Sequence, residues 1–135
     1  MANPNIVNVT DIRGNTAYVI PASAATATTS WTHNGSTALT GLTPAANTVN
    51  RITSIVVANT TSSAATATVA IGNTATFASA TVIAYPAYQI SVPPNASLIV
   101  IDKTNSLYVT ENQSVAAYSG TASALTFTAT FEAIT

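Results

Sequence analysis

Apolar and polar residues alternate with a period of two along parts of the chain. The clearest case is the segment 125–133, where Leu, Phe and Ala alternate with Thr and Glu. Because successive side chains of a β-strand point to opposite faces, the segment is predicted to be a strand with one face in the core and a ladder of threonines on the other. A shorter alternation at 66–71 predicts a second strand of this kind.

Further strands are predicted where β-branched and aromatic residues gather, since these side chains fit a pleated sheet better than a helix. These segments are 16–20, 51–59, 81–85, 88–92, 97–101, 106–110 and 114–118. Turn-forming residues separate them at 72–73, 85–86, 93–95, 102–105, 111–112 and 119–120. The pattern predicts an all-β fold, an antiparallel β-sandwich or jelly roll formed by residues 1–135 as a single domain, with residues 1–14 as an N-terminal arm.

The segment 21–50 has a different composition. It consists mostly of Ala, Thr, Ser, Asn and Gly around Trp31 and His33, which are the only tryptophan and the only histidine of the chain. We interpret it as a long irregular or hairpin excursion after the first strand. Asn34-Gly35 favours a type I′ turn, which predicts an exposed hairpin, and the alternative is an extended arm that orders on a neighbour.

Charged residues are rare and scattered. Asp, Glu, Lys and Arg make up 5% of the chain, against roughly 25% in a typical soluble domain. Nucleic-acid binding is excluded because it needs clustered cations, and this chain has three Lys and Arg residues in all. The net charge of -1 favours association, so a subunit of an assembly is predicted.

Neither a membrane span nor export is predicted. No apolar run approaches the roughly 20 residues that a membrane-spanning helix needs. The N-terminus lacks the basic and apolar regions of a secretory signal, and we therefore expect synthesis in a host cytoplasm.

Candidates for chemistry are few. One histidine and no cysteine cannot supply a metal site of nitrogen and sulfur ligands. A Ser–His–Asp site would have to use His33 with Asp11 or Asp102, and no G-x-S-x-G motif accompanies them. We predict no enzymatic activity, no cofactor and no metal. Asp102 and Asn105, the one hint of calcium ligands, are interpreted as turn residues whose side chains bond to backbone amides.

Five segments carry a set of strand-and-turn motifs: IVNVT at 6–10, VNRITSIVVAN at 49–59, VPPNASLIVIDK at 92–103, LYVTENQS at 107–114 and FEAIT at 131–135. In these segments the chain resembles small virion proteins of marine tailed phages, of cyanophage and related type. The likeness covers most of the chain apart from residues 21–48. It implies a β-sandwich structural protein, present in many copies on the particle and without catalytic residues.

The leading hypothesis is a capsid decoration (cement) protein on the virion surface, a homotrimer that binds the major capsid protein and its own copies. One alternative is a tail or fibre component that contacts host glycans through Trp31, Tyr85 and Tyr88, and another is a subunit of an extracellular filament. The candidate partner contacts are Ile6, Val7, Val9, Arg13, Trp31, His33 and Arg51.

Two of these candidate contacts, Arg13 and Arg51, are charged. Arg13 and Arg51 are expected either to set the register of contacts by pairing with Asp11 and Glu132 or to be solvated.

Overall fold

The computed structural model describes residues 8–33, 35 and 37–135. Over these residues the chain forms mainly antiparallel strands, with a short 3-10 turn at Ser79–Thr81, which confirms the predicted all-β class. The strands are β1 (Ile12–Val19), β2 (Ser30–His33), β3 (Thr37–Thr40), β4 (Val49–Asn59), β5 (Ala65–Gly72), β6 (Val82–Val92), β7 (Ser97–Ile101), β8 (Leu107–Val109), β9 (Ser114–Ser119) and β10 (Leu125–Ile134).

The strands form two sheets that pack as a β-sandwich. The larger sheet has the order β3-β2-β1-β10-β4-β7, with β8 also paired to β4, and the smaller sheet has the order β6-β5-β9. Their inner faces share a single hydrophobic core, so the predicted sandwich is confirmed. The buried core side chains include Ala17, Val19, Trp31, Ile52, Ile55, Val57, Phe127, Ala129 and Phe131 from the larger sheet and Ala65, Ala67, Val69, Val115 and Ala117 from the smaller one.

Strand β10 lies between β1 and β4 in the larger sheet and shows the predicted alternation. Phe127 and Phe131 are buried in the core, whereas Thr126, Thr128 and Thr130 point away from it. The apolar face supplies large rings to the core, and the opposite face presents the predicted ladder of threonines.

The turn predicted at Tyr85-Pro86 is wrong, because β6 runs without a break across these residues. Strand β6 is an edge strand that pairs only with β5, and its register shifts three times against β5. The extra residues of β6 form bulges at these shifts. Proline is tolerated in an edge strand or a bulge, because its missing N–H removes no hydrogen bond between strands there. One bulge contains Gln89, at a φ of +49°, whose N–H donates to Thr68 Oγ1 over 2.8 Å.

The hairpin alternative for residues 21–50 is correct, but the hairpin is not an exposed excursion. Strands β2 and β3 pair with each other, and β2 extends the larger sheet through pairs such as Ala17 with His33. Trp31 is fully buried, and its Nε1–H donates to the Val115 carbonyl oxygen over 3.2 Å. The prediction that Trp31 reaches a partner is therefore wrong, since the ring belongs to the core of its own chain.

The same segment covers the free edge of β9. Thr28 and Ala117 exchange backbone hydrogen bonds of 2.9 and 3.0 Å, and the Val115 N–H donates to the Gly41 carbonyl over 2.6 Å. Gly41 has a φ of +64°, and a Cβ there would lie 2.6 Å from Ser114 Cβ. This close backbone approach requires glycine.

The end of the predicted N-terminal arm, residues 12–14, is part of a strand. Strand β1 begins at Ile12, which pairs with Ile134 of β10, so residues 12–14 belong to the larger sheet. The Thr10 N–H donates to the Thr135 carbonyl over 2.7 Å, which extends the contact between the two chain ends. The pairing continues because β10 reaches Ile134 and offers β1 a partner along its whole length.

Candidate interaction surfaces

The residues that the structure describes bring no cluster of metal-binding side chains together. Among them, no group of three or more His, Cys, Asp and Glu side chains could hold a metal ion. Over the same residues, no helix has the length and apolar character needed to cross a membrane. The Asp102 and Asn105 side chains accept hydrogen bonds from nearby backbone amides, which confirms that this segment is a turn.

His33 is engaged with neutral neighbours. Its Nε2 lies 2.8 Å from Asn15 Oδ1, and its ring lies 5.9 Å, centre to centre, from the Phe131 ring. These contacts of the His33 ring are with an amide oxygen and a phenyl ring, whereas a catalytic histidine would contact a carboxylate and a hydroxyl group.

The other predicted contact residues lie in different places. Ile6 and Val7 are outside the described residues, and Val9 is half-buried. Arg13 forms an ion pair with Asp11 of its own chain, and Arg13 and His33 border one surface depression of about 460 Å³. Two of the predicted contacts thus come together at that depression.

Arg51 lies on the outer face of the larger sheet. Its Nη1 is 3.5 Å from Glu132 Oε2, and both side chains are a little over one third exposed. Each arginine thus pairs with the acidic residue that sequence analysis considered for it. Pairing within the chain satisfies these charges without a neighbour.

The outer face of the larger sheet is rich in hydroxyl and methyl groups and poor in charge. Cross-strand neighbours there include Thr16 with Thr130, and Tyr18 and Val56 on either side of Thr128. The strand side chains on this face, which we name the outer threonine face, are Thr16, Tyr18, Thr32, Arg51, Val56, Ile99, Tyr108, Thr126, Thr128, Thr130 and Glu132. Within that set the two charged residues are the paired Arg51 and Glu132.

The outer threonine face is large enough for a specific interface. Its seven strands have 8, 4, 4, 11, 5, 3 and 10 residues, or 45 in all, and each strand residue covers roughly 3.3 Å by 4.8 Å of a sheet. The resulting area is on the order of 700–800 Å², close to the roughly 800 Å² that each partner of a standard interface buries. Tyr18, Ile99 and Tyr108 are 43%, 66% and 55% exposed there, and such rings and aliphatic groups are typical of interface centres.

A second candidate surface lies on the outer face of the smaller sheet. Tyr85 and Tyr88 of β6 meet edge to face, with ring centres 4.9 Å apart and planes at 68°. Together with Tyr118 they border a pocket of about 270 Å³. The residues of this tyrosine pocket are Ala25, Thr66, Thr68, Ser79, Tyr85, Tyr88, Gln89, Tyr118, Ser119 and Gly120.

Several contacts fix the walls of the tyrosine pocket. Tyr118 stands opposite Thr68 across the β5–β9 ladder, and the Phe77 ring packs edge to face against it, 6.3 Å away. Gly120 approaches Thr66 so closely that a Cβ there would lie 2.1 Å from Thr66 Oγ1. The pocket is thus formed by sheet backbone and packed rings, which hold it in one shape.

Sequence analysis found part of this pocket. Tyr85 and Tyr88 were named as glycan contacts, together with Trp31, which lies in the core instead. Tyr118 was missed, because only the pairing of β5 with β9 brings it beside the other two tyrosines. Comparisons of the chain with protein-family models, with curated proteins and with solved structures found no match.

Proposed function

We propose that the protein is a structural component of a tailed-phage particle, a capsid decoration protein that binds the major capsid lattice through its outer threonine face. The observation that carries the proposal is the nature of this face, which is interface-sized and without an unpaired charge among its described strand residues. The phage context rests on the strand-and-turn motifs given above.

The physical basis is a low cost of removing water from the face. Burying an unpaired charge costs several kcal/mol, whereas threonine presents a methyl group and a hydroxyl that can bond across an interface. Arg51 and Glu132 would enter the contact already paired. Each buried square ångström of apolar surface then contributes about 25 cal/mol, less the cost of lost rotational freedom.

Repetition on a lattice would strengthen such a contact. A trimer presents three faces at once, so that the second and third contacts form at a high effective concentration. We therefore propose a homotrimer, in which modest single contacts add up to stable attachment. No chemistry at a reactive centre is required for this role.

Imaging of the particle tests the proposal. Electron cryo-microscopy of a phage that encodes this chain should show the domain on the shell, with the outer threonine face toward the lattice. Thr128→Arg, at the centre of that face, should lower occupancy at least about tenfold, the scale of losing an interface hot spot. Tyr88→Arg on the opposite sheet is the matched control and should leave occupancy unchanged.

Both variants must first be shown to fold, by comparing their unfolding transitions with that of the wild type. A domain located on the tail, or full shell occupancy by the folded Thr128→Arg variant, would overturn the proposal.

A further inference from the structure

The tyrosine pocket has exposed aromatic rings that do not contribute to the core of the sandwich. Tyr85 and Tyr88 are 48% and 57% exposed, and neither belongs to the hydrophobic core cluster. A tyrosine ring offers a flat apolar surface together with a hydroxyl group, so it can contact apolar and polar parts of one ligand. Exposed rings gathered around a pocket are therefore surfaces for a ligand.

None of the described residues that border the pocket is an Asp, Glu, Lys, Arg or His. Beside the tyrosines, the polar groups are hydroxyls and one amide, from Thr66, Ser79 and Gln89 among others. A charged ligand would lose water there without gaining an opposite charge. A neutral ligand with many hydroxyls and with apolar C–H faces matches both kinds of group.

The pocket is also small and held in shape. Its volume of about 270 Å³ lies just below the roughly 300–1,000 Å³ of pockets for whole ligands, which suits one unit of a longer chain. The bulge that carries Tyr88 is fixed by the hydrogen bond from the Gln89 N–H to Thr68 Oγ1. A preformed site loses little conformational freedom on binding.

From this geometry we infer that the tyrosine pocket binds one neutral saccharide unit of a glycan, an activity that goes beyond the proposed attachment to the capsid. The pocket lies on the sheet opposite the outer threonine face, so both surfaces can be occupied at once. The ring of Tyr88 stacks on the C–H face of the sugar, while the hydroxyls and the Gln89 amide bond to its hydroxyl groups.

Ligand-observed saturation-transfer NMR with the full chain tests this inference. The probes are maltotriose, cellotriose, mannotriose, galactotriose and chitotriose at millimolar concentrations. At least one of them should receive saturation at its ring protons. Tyr88→Ala should lower its affinity at least about tenfold, as expected for removal of the main aromatic contact, and Tyr88→Phe should retain most of it.

Tyr108→Ala is the matched control, because Tyr108 is 55% exposed, against 57% for Tyr88, and lies on the other sheet. It should bind as the wild type does. The inference is overturned if none of the five trisaccharides receives saturation, or if Tyr88→Ala and Tyr108→Ala bind equally well. Binding of a proline-rich peptide without binding of any trisaccharide would also overturn it, since tyrosine pockets can recognise that class of ligand.

Discussion

The indole Nε1–H of Trp31 donates a hydrogen bond to the carbonyl oxygen of Val115, across 3.2 Å. Trp31 belongs to β2 of the larger sheet and Val115 to β9 of the smaller one. Because the ring is fully buried, this bond and the packing around it join the two sheets at the end where the β2–β3 hairpin lies.

Trp31→Ala should therefore lower the free energy of unfolding by about 3–5 kcal/mol, the usual cost of removing a large core ring. Trp31→Phe should cost about 1–3 kcal/mol, since it leaves the Val115 carbonyl without its indole donor. Urea denaturation measures both. A loss below about 1 kcal/mol for Trp31→Ala would mean that the hairpin does not contribute to the core.

Gly41→Ala should destabilise the protein by about 2 kcal/mol or more, because it combines a left-handed backbone conformation with a clash. The φ of Gly41 is +64°, and an added Cβ would lie 2.6 Å from Ser114 Cβ. Gly14→Ala is the control, since a Cβ at Gly14 meets nothing within 4 Å. Thermal unfolding compares the two, and equal midpoints would contradict this account.

Thr68→Val keeps the shape of the side chain but removes the acceptor for the Gln89 N–H, which Thr68 Oγ1 holds at 2.8 Å. We expect a loss of about 1–2 kcal/mol in the free energy of unfolding and weaker saccharide binding, because the bulge positions Tyr88. Thr128→Val, at a position with no side-chain hydrogen bond among the described residues, should change stability by less than about 0.5 kcal/mol. Chemical denaturation that showed no difference between these variants would disprove the role of Thr68.

Asn59 is 2% exposed and uses its whole amide group. Its Nδ2 donates to the carbonyls of Ser63 and Val92, both at 2.9 Å, and its Oδ1 accepts from the N–H and hydroxyl of Thr61. Asn59→Asp replaces the two donors by an acceptor and buries a charge, so we expect a loss of about 3–5 kcal/mol at neutral pH.

The exposed Asn73 supplies the control for Asn59. Asn73→Ala should alter the free energy of unfolding by less than about 0.5 kcal/mol. If Asn59→Asp unfolded at the same urea concentration as Asn73→Ala, the buried amide would not be a source of stability.

The acid dependence of stability should include a contribution from Asp102. The hydroxyl and backbone N–H of Thr104 donate to this carboxylate, and they lower its pKa from the ordinary value of 3.8. Because the folded-state pKa is depressed, the contribution is present above pH 3.8 and is lost as the pH falls through the folded-state value.

The difference in unfolding free energy between the wild type and Asp102→Ala should therefore shrink as the pH is lowered through this window. Lys103→Ala, in the same turn, leaves the Asp102 carboxylate and its two donors from Thr104 in place, and it should give a difference that does not change with pH. Denaturation curves between neutral and strongly acidic pH measure both differences. A constant difference for Asp102→Ala would contradict the assignment.

The local sequence pattern was sufficient to locate strands whose ends are marked by turn residues. The predicted segment 97–101 coincides with β7, and the alternation at 125–133 gave β10 to within one residue. Strand β6 was predicted as two pieces, because Pro86 reads as a turn residue when the position of the strand in the sheet is unknown. A proline is tolerated in this strand because β6 lies at the edge of the smaller sheet, and that position is known only from its pairing with β5.

Long-range contacts explain the remaining differences. Trp31 lies in a stretch poor in apolar residues, and its partner Val115 follows 84 positions later. Tyr118 joins Tyr85 and Tyr88 only through the register of Thr68 against Tyr118. Sequence patterns within a few residues carry no information on either contact. The pairing of Arg51 with Glu132 was one of two alternatives that the sequence left open, beside solvation of both charges.

The covered edge of β9 limits how copies of the protein can join. Ala25, Thr28 and Gly41 occupy its backbone groups, the bulges of β6 make the other edge of the smaller sheet irregular, and the outermost strands of the larger sheet have three to five residues each. Open-ended polymerisation by strand addition has no long, regular edge on which to start. For the proposed capsid role, this means that copies could accumulate to high concentration without fibre growth, and the number bound would be set by the sites on the shell.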